Sequence, residues 1–397
     1  SQKSTYETIA LKIWDWAEVG YQEEKSSALL KKTLSDAGFS IQTGVAEIPT
    51  AFIAEYGSGQ PVIAILAEYD ALPGVSQKAI PTRDPVITGG AGHACGHHLF
   101  GTASVAAGIA IKNWLKTNKI KGTLRVYGTP AEEGGAGKVY LVRAGLFDDV
   151  DAVLHWHPGS NNNANPGSSL ANKSAKFRFY GESSHAATSP ERGRSALDGV
   201  ESMNQMVNML REHVPQETRI HYVITSGGEA PNVVPAFAEV FYYVRNPEVA
   251  NVKAIFERVV KAAQGAAIGT ETTMDYEIIH GLHNLLPNET LSEVMYQNLL
   301  SVGGMRYNDA EIKFAQQILN TYEGDYKIES GEEITPYSVE KRKGGGSTDV
   351  GDVSWKVPTA GMSAATWVPG TSAHTWQAVA AGGTSIGIKG MLIAAKT

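Results

Sequence analysis

The sequence predicts an α/β fold: a main domain with a mostly parallel central sheet flanked by helices, and a smaller α+β domain inserted into it. Three observations predict this. Apolar strand runs and amphipathic helical patterns alternate over about the first 160 residues, the rhythm changes to βαββαβ between 172 and 284, and the helix-rich pattern then resumes to the end. A chain of 397 residues also exceeds what one hydrophobic core ordinarily serves. The expected division is therefore 1–171 with 285–397 as one discontinuous domain, and 172–284 as the insert.

Taken in order, "TYETIALKIWDWAEV" (5–19) and "EEKSSALLKKTLSDAG" (23–38) place apolar residues at helical spacing, and Gly38 closes the second. "PVIAILAEYD" (61–70) is a continuous apolar run suited to a strand covered on both faces. "TASVAAGIAIKNWLK" (102–116) reads as an alanine-rich helix, "GTLRVYGTPAEEGG" (122–135) as a strand entering a glycine turn, and "VDAVLHWHPG" (150–159) as another buried strand. In the insert, strands are expected in "AKFRFYGESSHAA" (175–187), "IHYVITSGG" (220–228), "AEVFYYVRNP" (238–247) and "TTMDYEIIHG" (272–281), with helices at 195–214 and 249–267. That βαββαβ order is a ferredoxin-like, two-layer unit large enough to be a domain of its own. A further strand is expected around 361–367, and "KRKGGGSTD" (341–349) as a mobile loop.

The bulk numbers exclude some partners. A formal net charge of −7 offers no basic face, so neither nucleic acid nor a membrane surface is an expected partner. No apolar run reaches the roughly 18 residues of a membrane span. The single cysteine cannot form an internal disulfide. A cytoplasmic location is the expectation, with an exported form whose signal has been removed as the alternative.

Chemistry-bearing residues collect immediately after apolar strands. Asp70 stands in "LAEYDALPG", Glu132 and Glu133 in "TPAEEGGAG", His157 in "LHWHPG" and His374 in "PGTSAHTW". "GGAGHACGHHLFG" (89–101) holds three histidines and the only cysteine, Cys95, between the first of these strands and the helix after it. Open α/β sheets bind ligands at the carboxyl ends of their strands, so these residues converge without being close in sequence. A thiolate, imidazoles and carboxylates are the donors of a hydrolytic metal centre, and they suit two divalent ions such as zinc or manganese. Two ions about 3.5–4 Å apart can share a hydroxide and polarise a carbonyl, while an adjacent glutamate moves the proton.

Each residue has an ordinary alternative. A lone buried histidine usually serves a core hydrogen bond, a free cysteine fills space as a small hydrophobe, and Asp70 or "AEEGG" can simply shape a turn. Joint placement at strand ends favours the metal centre. A thiol hydrolase, with Cys95 as nucleophile and His93 or His97 as base, leaves Glu133, His157 and His374 without roles. A non-catalytic binding protein leaves Glu132 without one.

These motifs resemble the aminoacylase and carboxypeptidase type of metallopeptidases, in the amidohydrolase branch that includes indole-acetyl-amino-acid and hippurate hydrolases. The similarity rests on "EYDALPG", "GHACGHHLFGTA", "PAEEGGAGK", "SAHTWQ" and "GSTDVGDVSWKVP" (346–358), and it runs from the first helix to the last residue. It implies metal-dependent cleavage of the amide bond in N-acyl, particularly aromatic-acyl, amino acids such as aminobenzoyl-glutamate. Carboxypeptidase or dipeptidase activity is the variant within the family.

By this resemblance Cys95 bridges two ions, His97, Glu133, His157 and His374 complete the ligands, and Glu132 is the general base; His155 is the alternative to His157. His185 in "SSHAATSP" falls where the family reaches into a dimer partner's active site to hold the scissile carbonyl. The insert would then be a lid and dimerisation domain, in a homodimer or a heterodimer with a paralogous subunit. Asn232 in "PNVVP" and Arg245 in "YVRNP" fall where relatives recognise the substrate carboxylate. Arg245 also offers, on its own chemistry, a planar fork suited to a carboxylate, with a surface acid as the ordinary partner. Asp70 is expected just behind the ligands. His98 takes the place of the aspartate or asparagine common after "CGH", and is expected behind the ligands or as an additional one.

Overall fold

The computed structural model describes residues 2–340 and 345–397. The first four positions of the loop expected at 341–349 lie outside the described residues. The chain divides into two units: Ser1–Gly167, Leu286–Arg342 and Asp352–Thr397 form the first, and Ser168–Leu285 with Lys343–Gly351 the second. The second unit thus starts at Ser168 rather than Asn172, and it takes in a later segment that the sequence assigned to the first. Hydrogen bonds to backbone carbonyls account for the difference. Ser168 Oγ donates to Leu285 O at 2.7 Å, and Leu170 N donates to Gly346 O at 2.7 Å.

Among the described residues, ten strands carry the architecture: β1 (Ser40–Thr43), β2 (Phe52–Ser58), β3 (Val62–Ala67), β4 (Gly122–Gly128), β5 (Ala152–Gly159), β6 (Ala171–Tyr180), β7 (Arg219–Ser226), β8 (Phe237–Asn246), β9 (Thr273–Leu282) and β10 (Thr359–Ala365). The first unit's sheet has the order β1-β2-β4-β3-β5-β10. The neighbours β4, β3, β5 and β10 are parallel, so their carboxyl ends share one edge, while β1 and β2 add an antiparallel margin. The sheet is therefore mixed, with the parallel strands carrying the apolar runs seen in the sequence.

The long helix His97–Asn118 begins five residues earlier than its alanine-rich pattern suggests. Gly96 makes this start possible. Its φ of 75° is left-handed, and a Cβ there would lie 2.7 Å from Pro158 Cβ, so the loop turns directly into the helix against β5. His97 and His98 consequently stand on the first helical turn.

Two buried polar details hold the sheet edge in shape. Glu23, which precedes the helix Glu24–Asp36, is fully buried; its carboxylate accepts from Ala131 N at 2.9 Å and from Thr50 Oγ1 at 3.0 Å. It thereby anchors the turn after β4, where Ala131 has a positive φ of 58°. Burial, reinforced by the charge of Asp70, pushes the Glu23 carboxyl up to about 7. On β10, Gly361 is paired with His155 of β5, whose ring fills the space a Cβ would need.

The second unit is a four-stranded antiparallel sheet, order β7-β8-β6-β9, with the helices Ala196–Leu210 and Val249–Gly269. This is the βαββαβ, ferredoxin-like order. Alternation on β8 separates Val240, Tyr242 and Val244, buried with Phe177, Met203 and Phe256, from Tyr243 and Arg245 on the other face.

Gly361→Ala is expected to cost about 1–3 kcal/mol by overpacking the His155 ring, read as a lower urea midpoint at unchanged slope; an unchanged midpoint would show that the ring yields freely. The raised Glu23 carboxyl gives a second expectation. Between about 4.5 and 7 the folded protein keeps a proton that the unfolded chain has released, so stability falls as pH rises through that window, by up to about 3 kcal/mol. Glu23→Gln, which keeps the acceptor for Ala131, should flatten that part of the stability–pH curve measured on metal-free protein.

Candidate active site

The shared carboxyl edge of β3, β4, β5 and β10 delivers the chemistry. Glu68 and Asp70 follow β3, Glu132 and Glu133 follow β4, His157 lies at the end of β5, and His374 sits in the turn after β10. His374 N donates to Ala94 O at 3.0 Å, which fastens that last turn to the loop carrying Cys95. His374 itself has a positive φ of 64°, as Ala131 and Ala136 do on either side of the Glu132–Glu133 turn. Backbone in this region is costly for residues with a Cβ and persists where the surroundings determine it.

Donor atoms of Cys95, His97 and His157 lie within 4.8 Å of one another, and so do those of Cys95, Glu133 and His374. Cys95 belongs to both groups. Its Sγ is 3.4 Å from His157 Nε2, while His374 Nε2 is 3.0 Å from Glu133 Oε1. A third group joins His97 with Glu132 and Glu68, again within 4.8 Å.

Hydrogen bonds set the orientation of these side chains. His97 Nδ1 donates to Asp70 Oδ1 at 2.9 Å, which turns Nε2 toward the cluster. Asp70 Oδ2 accepts from Glu133 N at 2.8 Å, so one carboxylate holds parts of two ligand loops. His157 Nδ1 donates to Pro158 O at 2.7 Å and likewise leaves Nε2 toward Cys95.

Electrostatics agree with a cation site. Burial would raise Asp70, but the adjacent His97 imidazole and Lys138 hold it below its usual range. Burial would lower His97, yet Asp70, Cys95 and Glu68 reverse that and raise it well above normal. Burial pushes the Cys95 thiol well up, against the pull of His97, so the thiol is not an active nucleophile by itself. His157 is lowered by burial and by His97, which keeps it in the neutral form that ligates.

The residues fit a pair of divalent ions on an observation independent of donor counting. His97 Nε2 and Glu68 Oε2 are buried 3.1 Å apart, yet neither makes a hydrogen bond. Their only mutual contact is an ion pair without hydrogen-bond alignment, and a cation bound beside both atoms would take the place of the imidazole proton. Cys95, His97 and His157 would hold one ion, and Cys95, Glu133 and His374 the other.

His98 departs from expectation. It is fully buried, its Nε2 donates to Gly382 O at 3.0 Å, and its ring packs 4.9 Å from His93, so it neither ligates nor supports a ligand. Neighbouring positions on a helix differ by about 100° in direction, which turns His98 away when His97 faces the cluster. His93 donates to Ile13 O at 3.0 Å and is structural. His155 is outside the clusters, and burial holds it down at about 3.

The remaining expected residues are in the second unit. His185 and Asn232 are adjacent, with Ala186 N donating to Asn232 O at 3.0 Å and His185 bridged to Val233. His185 Nδ1 accepts from Ala187 N at 3.2 Å, which makes Nε2 the donor nitrogen of an exposed ring. Arg245 stands at the other end of β8, about 26 Å from Phe237 along the strand at roughly 3.3 Å per residue. The unit does not bring Arg245 together with His185 and Asn232. Arg245 is half-buried, its Nε has no partner, its guanidinium lies 5.2 Å over the Tyr243 ring, and burial lowers its pKa. Sequence reading missed Glu68, Lys138 and Glu23; the available signal was a charge set inside or beside an otherwise apolar run.

Comparison with known proteins places this geometry in a family. Residues 64–378 match the model for peptidase family M20/M25/M40. The chain is 45% identical over its whole length, and 88% of the relative's, to one of the p-aminobenzoyl-glutamate hydrolase subunits of Escherichia coli (strain K12). It is 31% identical to Xaa-Arg dipeptidase of Mus musculus over 73% of this chain and 67% of the other. Among solved structures, an aminobenzoyl-glutamate utilization protein from Klebsiella pneumoniae superimposes with a TM-score of 0.68 at 16% identity, covering 100% of this chain and 96% of that one. A dinuclear metal-binding peptidase of the M20 family from Bacillus subtilis does so with a TM-score of 0.58 at 19% identity, covering 99% and 97%. The chain belongs to peptidase family M20/M25/M40 and is a metal-dependent hydrolase of amide bonds.

Proposed function

We propose that the protein cleaves the amide between an acyl group, preferably aromatic, and an amino acid with a free carboxylate, with aminobenzoyl-glutamate as the first substrate to test. The observation that carries this reading is the pair of donor groups sharing Cys95, with the Glu132 carboxylate beside them. The 45% identity to a hydrolase named for that substrate supports the choice. Two zinc or manganese ions at these donors would supply a Lewis acid for the carbonyl and acidify a water.

Glu132 takes the proton of the attacking water and returns it to the leaving nitrogen, because it stands among the donors on a turn fixed by Glu23 and Asp70. Asp70 keeps His97 and Glu133 in place during that transfer. In the second unit, the Nε2–H of His185 is suited to an oxyanion. The Arg245 fork is suited to a carboxylate, but at the far end of β8 it does not meet the same substrate as His185 of its own chain. Two of the relatives are named as different subunits of p-aminobenzoyl-glutamate hydrolase, which supports assembly with a paralogous subunit or a second copy.

Purified protein loaded with zinc or manganese should hydrolyse aminobenzoyl-glutamate faster than a dipeptide ending in arginine, the substrate class named for the dipeptidase relative. The reverse order would favour the dipeptidase reading. Chelator should abolish turnover and added metal restore it, whereas a thiol enzyme would survive. Glu132→Gln should lower kcat at least about 10²–10⁴-fold while two ions remain bound. Near-normal turnover of that variant would remove Glu132 from the mechanism.

A further inference from the structure

The reaction as derived leaves one buried pair without a task. Glu68 is 1% exposed and Lys138 is fully buried, with Lys138 Nζ 2.7 Å from Glu68 Oε1. Taking two charges out of water is expensive, and apolar residues of similar volume usually stabilise a core as well or better. The pair therefore calls for a use of the charge itself.

Only one carboxylate oxygen is taken up by the lysine. Glu68 Oε2 is sealed from solvent, has no hydrogen bond, and faces His97 Nε2 at 3.1 Å, the nitrogen that the Asp70 contact turns toward the donor cluster. The Glu68 carboxylate also has an oxygen within 4.8 Å of a Glu132 oxygen. A carboxylate oxygen whose one contact is an ion pair with a ligating nitrogen, without a hydrogen bond, is placed to ligate a cation that replaces the imidazole proton.

We propose that Glu68 is a further ligand of the ion that His97 holds, and that Lys138 is the positioning residue that grips Oε1 and leaves Oε2 for the ion. This rests on the metal-centre reading above. A carboxylate added to thiolate and imidazoles makes the donor set harder, so this ion tolerates manganese as well as zinc. Lys138 offsets the extra negative charge, which lets the ligand enter without loading the site with unbalanced anions.

Cobalt(II) alone, added to the metal-free full-length chain, tests the proposal, because its visible absorption strengthens as coordination number falls. Wild type should bind two ions. Glu68→Gln should hold one of them at least about 10-fold more weakly in chelator competition, with stronger absorption, and keep the other unchanged. Lys138→Met should alter the spectrum without abolishing either site. Since either single change leaves a buried charge exposed to imbalance, Glu68→Gln with Lys138→Met keeps the charge even and carries the test if a single variant fails to fold. Two ions bound by Glu68→Gln or the double variant with wild-type affinity and spectrum would overturn the role of Glu68. Failure of wild type to bind two ions, with Cys95→Ser indistinguishable from it, would instead overturn the metal centre itself.

Discussion

Asp70 is the constraint on which the site depends. A single buried carboxylate accepts from His97 on one side and from the Glu133 backbone on the other, at 2.9 and 2.8 Å. Those partners belong to separate loops, one after β3 and one after β4. Parallel strands bring the loops to one edge, but strands alone leave them free to drift by more than a coordination bond tolerates. The carboxylate removes that freedom, and it stays ionised because its partners return the solvation that burial takes away.

Much of this was legible in the sequence because two independent periodicities agreed. Continuous apolar runs announced β3, β4 and β5, and a polar residue at the end of each run announced the edge. The antiparallel margin was not legible: β1 has four residues, mostly exposed, and carries no strand signature. The early start of the helix at His97 was hidden because Gly96 supplies the cap by conformation and not by a capping side chain. His98 was misplaced for a related reason, since adjacency in sequence says nothing about face until the helix start is known. Glu68 and Lys138 were passed over because each is one charge in an apolar setting, and only their contact shows that they belong together.

Burial sorts one residue type into different uses here. His93, His98 and His155 are pushed toward the neutral form by their surroundings, and the first two spend their protons on backbone carbonyls of Ile13 and Gly382. His97 is equally buried but ringed by Asp70, Cys95 and Glu68, which makes it the imidazole that most attracts a positive charge. The contrast needs no difference in side chain. It follows from which carboxylates the strand ends happen to deliver, and this is why histidine count alone says little about a site.

The interrupted course of the first unit has a consequence for the order of events during synthesis. Cys95 and His97 leave the ribosome early, whereas His374 follows only after the whole of Ser168–Leu285 has been made. The second unit, nearly contiguous in sequence, can become compact while the first still lacks β10 and its turn. Once compact, it shortens the effective loop that must close before β10 docks on β5, so the entropic penalty of bringing distant segments together falls. Assembly of the two donor groups is therefore a late event, and the nascent chain passes most of its length before it can hold both.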